Sequence, residues 1–298
     1  MLLSKDKVIY TFDKSHEPVV RTDLPCTVEF ETRDCFHGFI SDETKFLKDV
    51  DYSFCNPSTG PVYFNGVQPG DVLEVYVKKI DCYSPGYTMS VENDGLLAEY
   101  NHKNITRMIE FDEKYWYFEG MKFELTPMIG VIGVTPDEGT PTTASPGDHG
   151  GNIDTTLIKE GSTVFLPVFV EGGLMAVGDL HAAMGDGESF YMGLEVEGHV
   201  ELEIKVRKDM NIEIPFVLVD GRFASIATDL DADSALKKAM KHLVDFVANH
   251  SDMDWYNAGI VCGLTADLQI SQMVDVEKTA RMAIDVSVLE EMGIKLFS

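Results

Sequence analysis

The chain has 298 residues, with 50 Asp+Glu against 24 Lys+Arg and a formal net charge of −26. A hydrophobic fraction of 44% is ordinary for a globular protein and excludes a disordered acidic tail. So acidic a chain offers no cationic surface to a nucleic-acid backbone or an anionic membrane. Neutral or cationic small molecules and divalent cations stay open as partners.

The elements follow from hydrophobic period. Thr27 to Thr32 sets Val28 and Phe30 against Glu29 and Glu31, the alternation of a half-buried strand. Val72 to Ile80 alternates after the turn signal Gln68-Pro69-Gly70-Asp71. Met128–Val134 and Val164–Val170 are short apolar runs bounded by Gly and Pro, consistent with buried strands; Pro167 suggests an edge or a bulge. Between them lies a Gly/Pro/Thr/Ser loop from Pro136 to Gly151. Leu194 to Arg207 is the strongest strand. Leu194, Val196, Val200, Leu202, Ile204 and Val206 point one way, and Glu195, Glu197, His199, Glu201, Glu203, Lys205 and Arg207 form the wet face. Leu236, Ala239, Met240, Leu243, Val244 and Val247 form one apolar helical stripe, with Asp231 or Asp233 as cap. A shorter helical segment is expected around Val276–Ala283.

The reading is mostly β, with one or two helices in the C-terminal half. Residues 1–298 read as one unit with a soft internal boundary near 135–148. No stretch is long and apolar enough for a membrane span, since Pro167, Glu171, Gly172 and Gly173 interrupt Val164–Val177. The N-terminus carries two apolar residues after Met1 and then charges, which is no signal-peptide core. Five cysteines without a C-x-x-C pair point to a reduced, cytoplasmic compartment.

Two segments concentrate chemistry. Ser145 to Asp154 and Glu171 to Glu188 place His149, Asp154, Asp179, His181, Asp186 and Glu188 among glycines. Asp179 and His181 are two apart, so on a strand both project to one face. A carboxylate beside an imidazole suits a zinc-type site. Asp186 is either a further member or a turn residue of Gly-Asp-Gly, and His149 either acts or caps its loop. There is no G-x-S-x-G elbow, dinucleotide fingerprint or P-loop. Asp229-x-Asp231-x-Asp233 lacks the glycine and glutamate of a calcium loop. Cys262 sits in apolar Ile-Val-Cys-Gly and reads as a buried thiol.

His149-Gly-Gly-Asn-Ile-Asp154 and Gly178-Asp-Leu-His-Ala-Ala-Met-Gly-Asp-Gly-Glu188 resemble signature stretches of the acetamidase/formamidase family. Asn56-Pro-Ser-Thr-Gly-Pro-Val-Tyr-Phe64, Pro69-Gly-Asp-Val-Leu73, Pro127 to Pro136 and Asp267 to Asp275 are similar to others, so the resemblance runs along most of the chain. It implies a largely β fold with jelly-roll-like and barrel-like parts and a small α/β element. It also implies hydrolysis of short aliphatic amides, association with zinc or calcium, and a homo-oligomer, a dimer or higher. Carried over by residue, it marks His149, Asp154, Asp179, His181, Glu188 and Asp34 of the Asp34-Cys35 pair. One position departs: Met184 stands where the family usually has Gln, which would make a substrate pocket there less polar.

The expected enzyme is a metal-dependent amidohydrolase. Asp179, His181 and Asp154 are the expected metal ligands, with Asp34 as a fourth. The metal is divalent, zinc first and calcium second. Glu188 is the expected proton carrier, with ligation as its other open role. His149 is expected to assist catalysis and Asn152 to hold the substrate. The alternative is a metal-stabilised β protein that binds a small molecule without amidase activity. A thiol amidase using Cys262 is a third option.

Overall fold

The long alternating run forms the spine of the molecule. In the computed structural model, which describes residues 1–296, it is the strand Glu195–Arg207. In chain order the elements that position the site begin with β1 (Cys26–Thr32), β2 (Ser58–Phe64), β3 (Val72–Ser90), β4 (Met128–Gly133) and β5 (Gly150–Asn152). They continue with β6 (Thr163–Pro167), β7 (Met175–His181), β8 (Glu195–Arg207), β9 (Phe216–Val219) and β10 (Arg222–Asp229). Helices α1 (Ala232–His250) and α2 (Trp255–Thr265) precede β11 (Asp267–Gln272), β12 (Lys278–Asp285) and α3 (Val286–Glu291).

The protein is mostly β. Its spine β8 is flanked antiparallel by β3 and β1. β3 continues through β6, β9, β10 and β12 to β11. β7 lies between β4 and β2, and its last residues reach β8, where His181 stands directly opposite Glu195. The expected strand at Val72–Ile80 is much longer, running on to Ser90, and the one at Val164–Val170 ends at Pro167. The residues from Thr135 to Asp148 connect β4 to the hairpin of β5.

The inward face of β8 behaves as its alternation requires: Val196, Val200, Leu202 and Ile204 are buried in the main core with Val28, Phe30, Leu73 and Val75. Glu201 and Glu203 on the other face meet Lys78 at 2.8 and 3.5 Å, and Lys5 pairs with Glu197. Such surface pairs contribute about 1 kcal/mol at most. Two residues depart from the wet-face reading. His199 is half-buried between Glu29 (3.0 Å) and Asp81 (3.6 Å). Glu195 is 2% exposed, because β7 covers the start of the strand.

Helix α1 begins where expected, with Asp231 accepting from the Ser234 amide at 2.9 Å. Its buried stripe is Ala235, Ala239, Leu243, Val244, Phe246 and Val247, packed on Phe216, Phe223 and Ile284; Leu236 and Met240 sit at the rim. The expected helix at Val276–Ala283 is instead strand β12, held between β10 and β11. Thr279 to Ile284 is buried on both faces, which erases the alternation that marks a strand. Helix α2 escaped the pattern for the opposite reason. Only Ala258 and Cys262 are buried, while Tyr256, Ile260 and Leu264 are exposed. Among the described residues, no helix is long and apolar enough to cross a membrane.

Candidate active site

The end of β7 carries Asp179 and His181, and both are buried. Register puts Glu195 opposite His181, and Nε2 of the imidazole lies 3.1 Å from the Glu195 carboxylate and 3.6 Å from Asp179. The ring packs on Gly193, where a Cβ would fall 2.7 Å from it. Burial opposes the imidazolium, but Glu195 and Asp179 outweigh it and hold the His181 pKa well above the usual range.

Beyond β5 the chain brings in Asp154, 1% exposed, with both carboxylate oxygens lacking a hydrogen-bond partner. Ligand atoms of Asp154, His181 and Glu188 lie within 4.8 Å of one another. Burial, then the charge of Asp179, pushes the Asp154 carboxyl well up. Burial, then Asp154, does the same to Glu188. Gly130 on β4 makes room for this approach: a Cβ there would lie 2.5 Å from Asp154 Oδ1 and 2.7 Å from Asp179 Oδ2.

The C-terminal strands fix the turn that bears Glu188. The Gly187 amide donates to Ser271 (2.7 Å), and the Met273 amide donates back to Gly187 (3.0 Å). Buried Arg281 grips both oxygens of Asp186 and donates to Thr155 at 3.0 Å. Asp186 is therefore the anchor of the turn, and its partner ties Thr155, next to Asp154, to the same clamp.

A cavity of about 120 Å³ opens beside these groups, lined by residues that include Asn56, Asn152, Asp179, His181, Glu188, Glu195 and Asp275. Asn56 donates to Asn152 (2.9 Å) and Asp179 (3.1 Å), and Asn152 donates to Asp275 (2.9 Å). Burial pushes the carboxyls of Glu195 and Asp275 up to about 7; His181 pulls against it at Glu195, and the Asn152 hydrogen bond at Asp275. Cys35 and Cys55 line the same space.

Backbone strain marks the place independently. Asn56, Asp154, Asp179, Glu188 and Tyr191 all have φ between 38° and 110°, and all but Asp154 line the cavity. Non-glycine residues persist there only where their surroundings hold them, as functional sites do.

The structure thus brings together Asp154, Asp179, His181, Glu188 and Asn152. It separates two others. Asp34 accepts from the amides of Phe36 (3.0 Å) and Gly38 (2.8 Å) and from the Tyr87 hydroxyl (2.7 Å), so its oxygens are engaged away from the cluster; its neighbour Cys35 reaches Asp179 and Glu195 instead. His149 packs edge-on against Phe12, with ring centroids 4.9 Å apart, and does not line the cavity. Met184 lines a neighbouring cavity with Trp116, Phe123 and Met192. Sequence reasoning missed Asn56, Glu195 and Asp275. Asn56 and Asp275 each sit in a stretch that carries the family resemblance, which was their available signal.

His149 has a different consequence. It is 5% exposed, and burial holds its pKa down at about 4 against 6.5 in an open chain. The unfolded chain then takes up a proton near pH 6.5 that the folded one refuses until about 4. Stability is retained above pH 6.5 and falls by about 3 kcal/mol as pH drops through that window. Urea unfolding at pH 7 and pH 4.5 should give a larger difference for wild type than for His149→Leu. Equal differences would mean that His149 does not set it.

The family model described as the Acetamidase/Formamidase family matches residues 12–144 and 137–290. The chain belongs to that family. An acetamidase structure from Bacillus halodurans superposes with a TM-score of 0.96 at 37% identity, covering 99% of this chain and all of that one. An acetamidase structure from Yersinia enterocolitica gives 0.91 at 25% identity over 97% and 93%. The acetamidase of Mycolicibacterium smegmatis is 24% identical over 234 residues, 56% of this chain and 57% of that protein. The chain spans less than two thirds of the length of the curated relatives it matches.

Proposed function

We propose that the protein hydrolyses short linear amides of the formamide and acetamide type to a carboxylate and ammonia, with a divalent cation in the acid cluster. The observation that carries this reading is a set of buried, unpartnered atoms beside a small polar cavity. Within the group of Asp154, His181 and Glu188 they are both oxygens of Asp154 and Nδ1 of His181. Left bare, each costs free energy; together they fit a cation.

Asp154, His181 and Glu188 would hold that ion. Glu195 faces Nε2 of His181 at 3.1 Å, and Gly193 packs on the Nδ1 side of the ring, so the imidazole is held in place for ligation. When bound, the ion supplies a Lewis acid for the amide carbonyl and makes a water acidic enough to lose its proton near neutral pH. An imidazole donor favours zinc over calcium, which takes oxygen ligands. With Glu188 among the ligands, the proton carrier we assign is Asp275. It lines the cavity, is held by Asn152, and has a carboxyl raised to about 7, suited to exchange at neutral pH. It takes a proton from the attacking water as the C–O bond forms. It returns that proton to the amide nitrogen as the C–N bond breaks and ammonia leaves. Asn56 and Asn152 orient the small substrate. A cavity of about 120 Å³ has room for a small substrate of a few heavy atoms.

The test is ammonia release from formamide, acetamide and propionamide, with and without chelator. Release that chelation abolishes and zinc restores is the expected result. Firmly bound metal with no ammonia from any of them would favour a small-molecule binder. Chelator-insensitive release would remove the metal from the reading. A reduced compartment and a homo-oligomer belong to the same proposal: all five cysteines are free, and the exposed row Tyr256, Ile260 and Leu264 on α2 supports self-association.

A further inference from the structure

We propose that the site takes a second divalent cation, held by Cys35, Asp179 and Glu195. Ligand atoms of these three residues lie within 4.8 Å of one another, and all three are buried. Asp179 Oδ1 and Glu195 Oε2, on residues 3% and 2% exposed, have no hydrogen-bond partner. The group shares no residue with Asp154, His181 and Glu188. It abuts that triad through His181, whose Nε2 touches both of its carboxylates.

Charge argues the same way. Asp179, Glu188, Glu195 and Asp275 line the cavity, and among the described residues His181 is the only basic one in its lining. Asp154 stands behind them, fully buried. With the carboxyls ionised, one divalent ion leaves negative charge uncompensated, and a second brings the site closer to balance.

The sulfur is held for the task. The Tyr87 hydroxyl lies 3.3 Å from Cys35 Sγ and donates to Asp34 at 2.7 Å. Asp34 is fixed in turn by the amides of Phe36 and Gly38. A hydrogen-bonded chain behind a ligand sets its position. A mixed thiolate and carboxylate donor set suits a borderline ion such as zinc, and the thiol gives its proton to solvent as the ion binds.

This inference rests on the proposed first site only for its neighbour; its own donors are separate. The experiment loads the metal-free full-length protein with cobalt(II) as probe, reading stoichiometry and near-ultraviolet absorption. Wild type should take two equivalents per chain and show a thiolate-to-cobalt charge-transfer band. Cys35→Ser should keep one equivalent and lose the band. Asp154→Asn should weaken the other equivalent and keep the band. One equivalent in wild type with no band overturns the second site and leaves the first standing. No binding at all overturns both. The wild-type readings decide the matter even if a variant fails to fold.

Discussion

Asp154→Asn is expected to lower amide turnover by about three orders of magnitude while leaving the metal-free fold as stable as before, or more so. Both oxygens of Asp154 are buried without a partner, and the charge that acts on it most strongly is that of Asp179. In the metal-free protein the carboxylate therefore costs stability, through lost hydration and through repulsion. The isosteric amide removes the charge and keeps the volume. The same change removes a ligand of the proposed ion, whose electrostatic contribution of several kcal/mol corresponds to roughly a thousandfold in rate. Metal content, ammonia release and urea unfolding in chelator check the three parts. A residue that merely supports the fold would lose stability and turnover together. Retained turnover would remove Asp154 from the site.

Gly130→Ala is the second large effect. The backbone of Gly130 is not left-handed, so alanine meets no conformational barrier there. The obstacle is contact alone: the added methyl would lie 2.5 Å from Asp154 Oδ1, 2.7 Å from Asp179 Oδ2 and 2.8 Å from the Asp179 carbonyl. The two acids must move apart, and they belong to the two different proposed ligand groups. A displacement near 1 Å costs about a hundredfold in rate, and overpacking costs about 1–3 kcal/mol of stability. Turnover and urea midpoint of the single variant test this. An unchanged rate would mean that the spacing of Asp154 and Asp179 is not critical.

The strands were legible because period-2 alternation follows from one wet face and one dry face, and Leu194–Arg207 carries that pattern without a break. Where both faces are buried, as in β12, the pattern vanishes, and Val276–Ala283 read as helix. Helix α2 failed for lack of a dry stripe. At the site, Asp179 and His181 were legible because two-residue spacing puts both side chains on one strand face. Glu195 was not, because its own strand labels it as solvent-facing. Its burial comes from β7 lying across it, and that is a fact of pairing between strands, which no local window contains. Asp34 shows the reverse: its sequence neighbourhood marked it, yet Tyr87 and two backbone amides use its oxygens, and Cys35 beside it points to the acids.

The clamp made by Arg281 has a bearing on how the molecule is completed. Asp154, His181 and Glu188 all precede α1, yet the turn of Glu188 is docked on Ser271 and Met273 and anchored through Asp186 to Arg281. As the chain emerges from the ribosome, these three residues exist well before the strands that hold them in register. Contacts of such long sequence separation form late, so the proposed cation would be held tightly only once β11 and β12 dock. A nascent chain short of Asp285 would then lack the fixed turn of Glu188, and the proposed centre would be completed only with the finished fold.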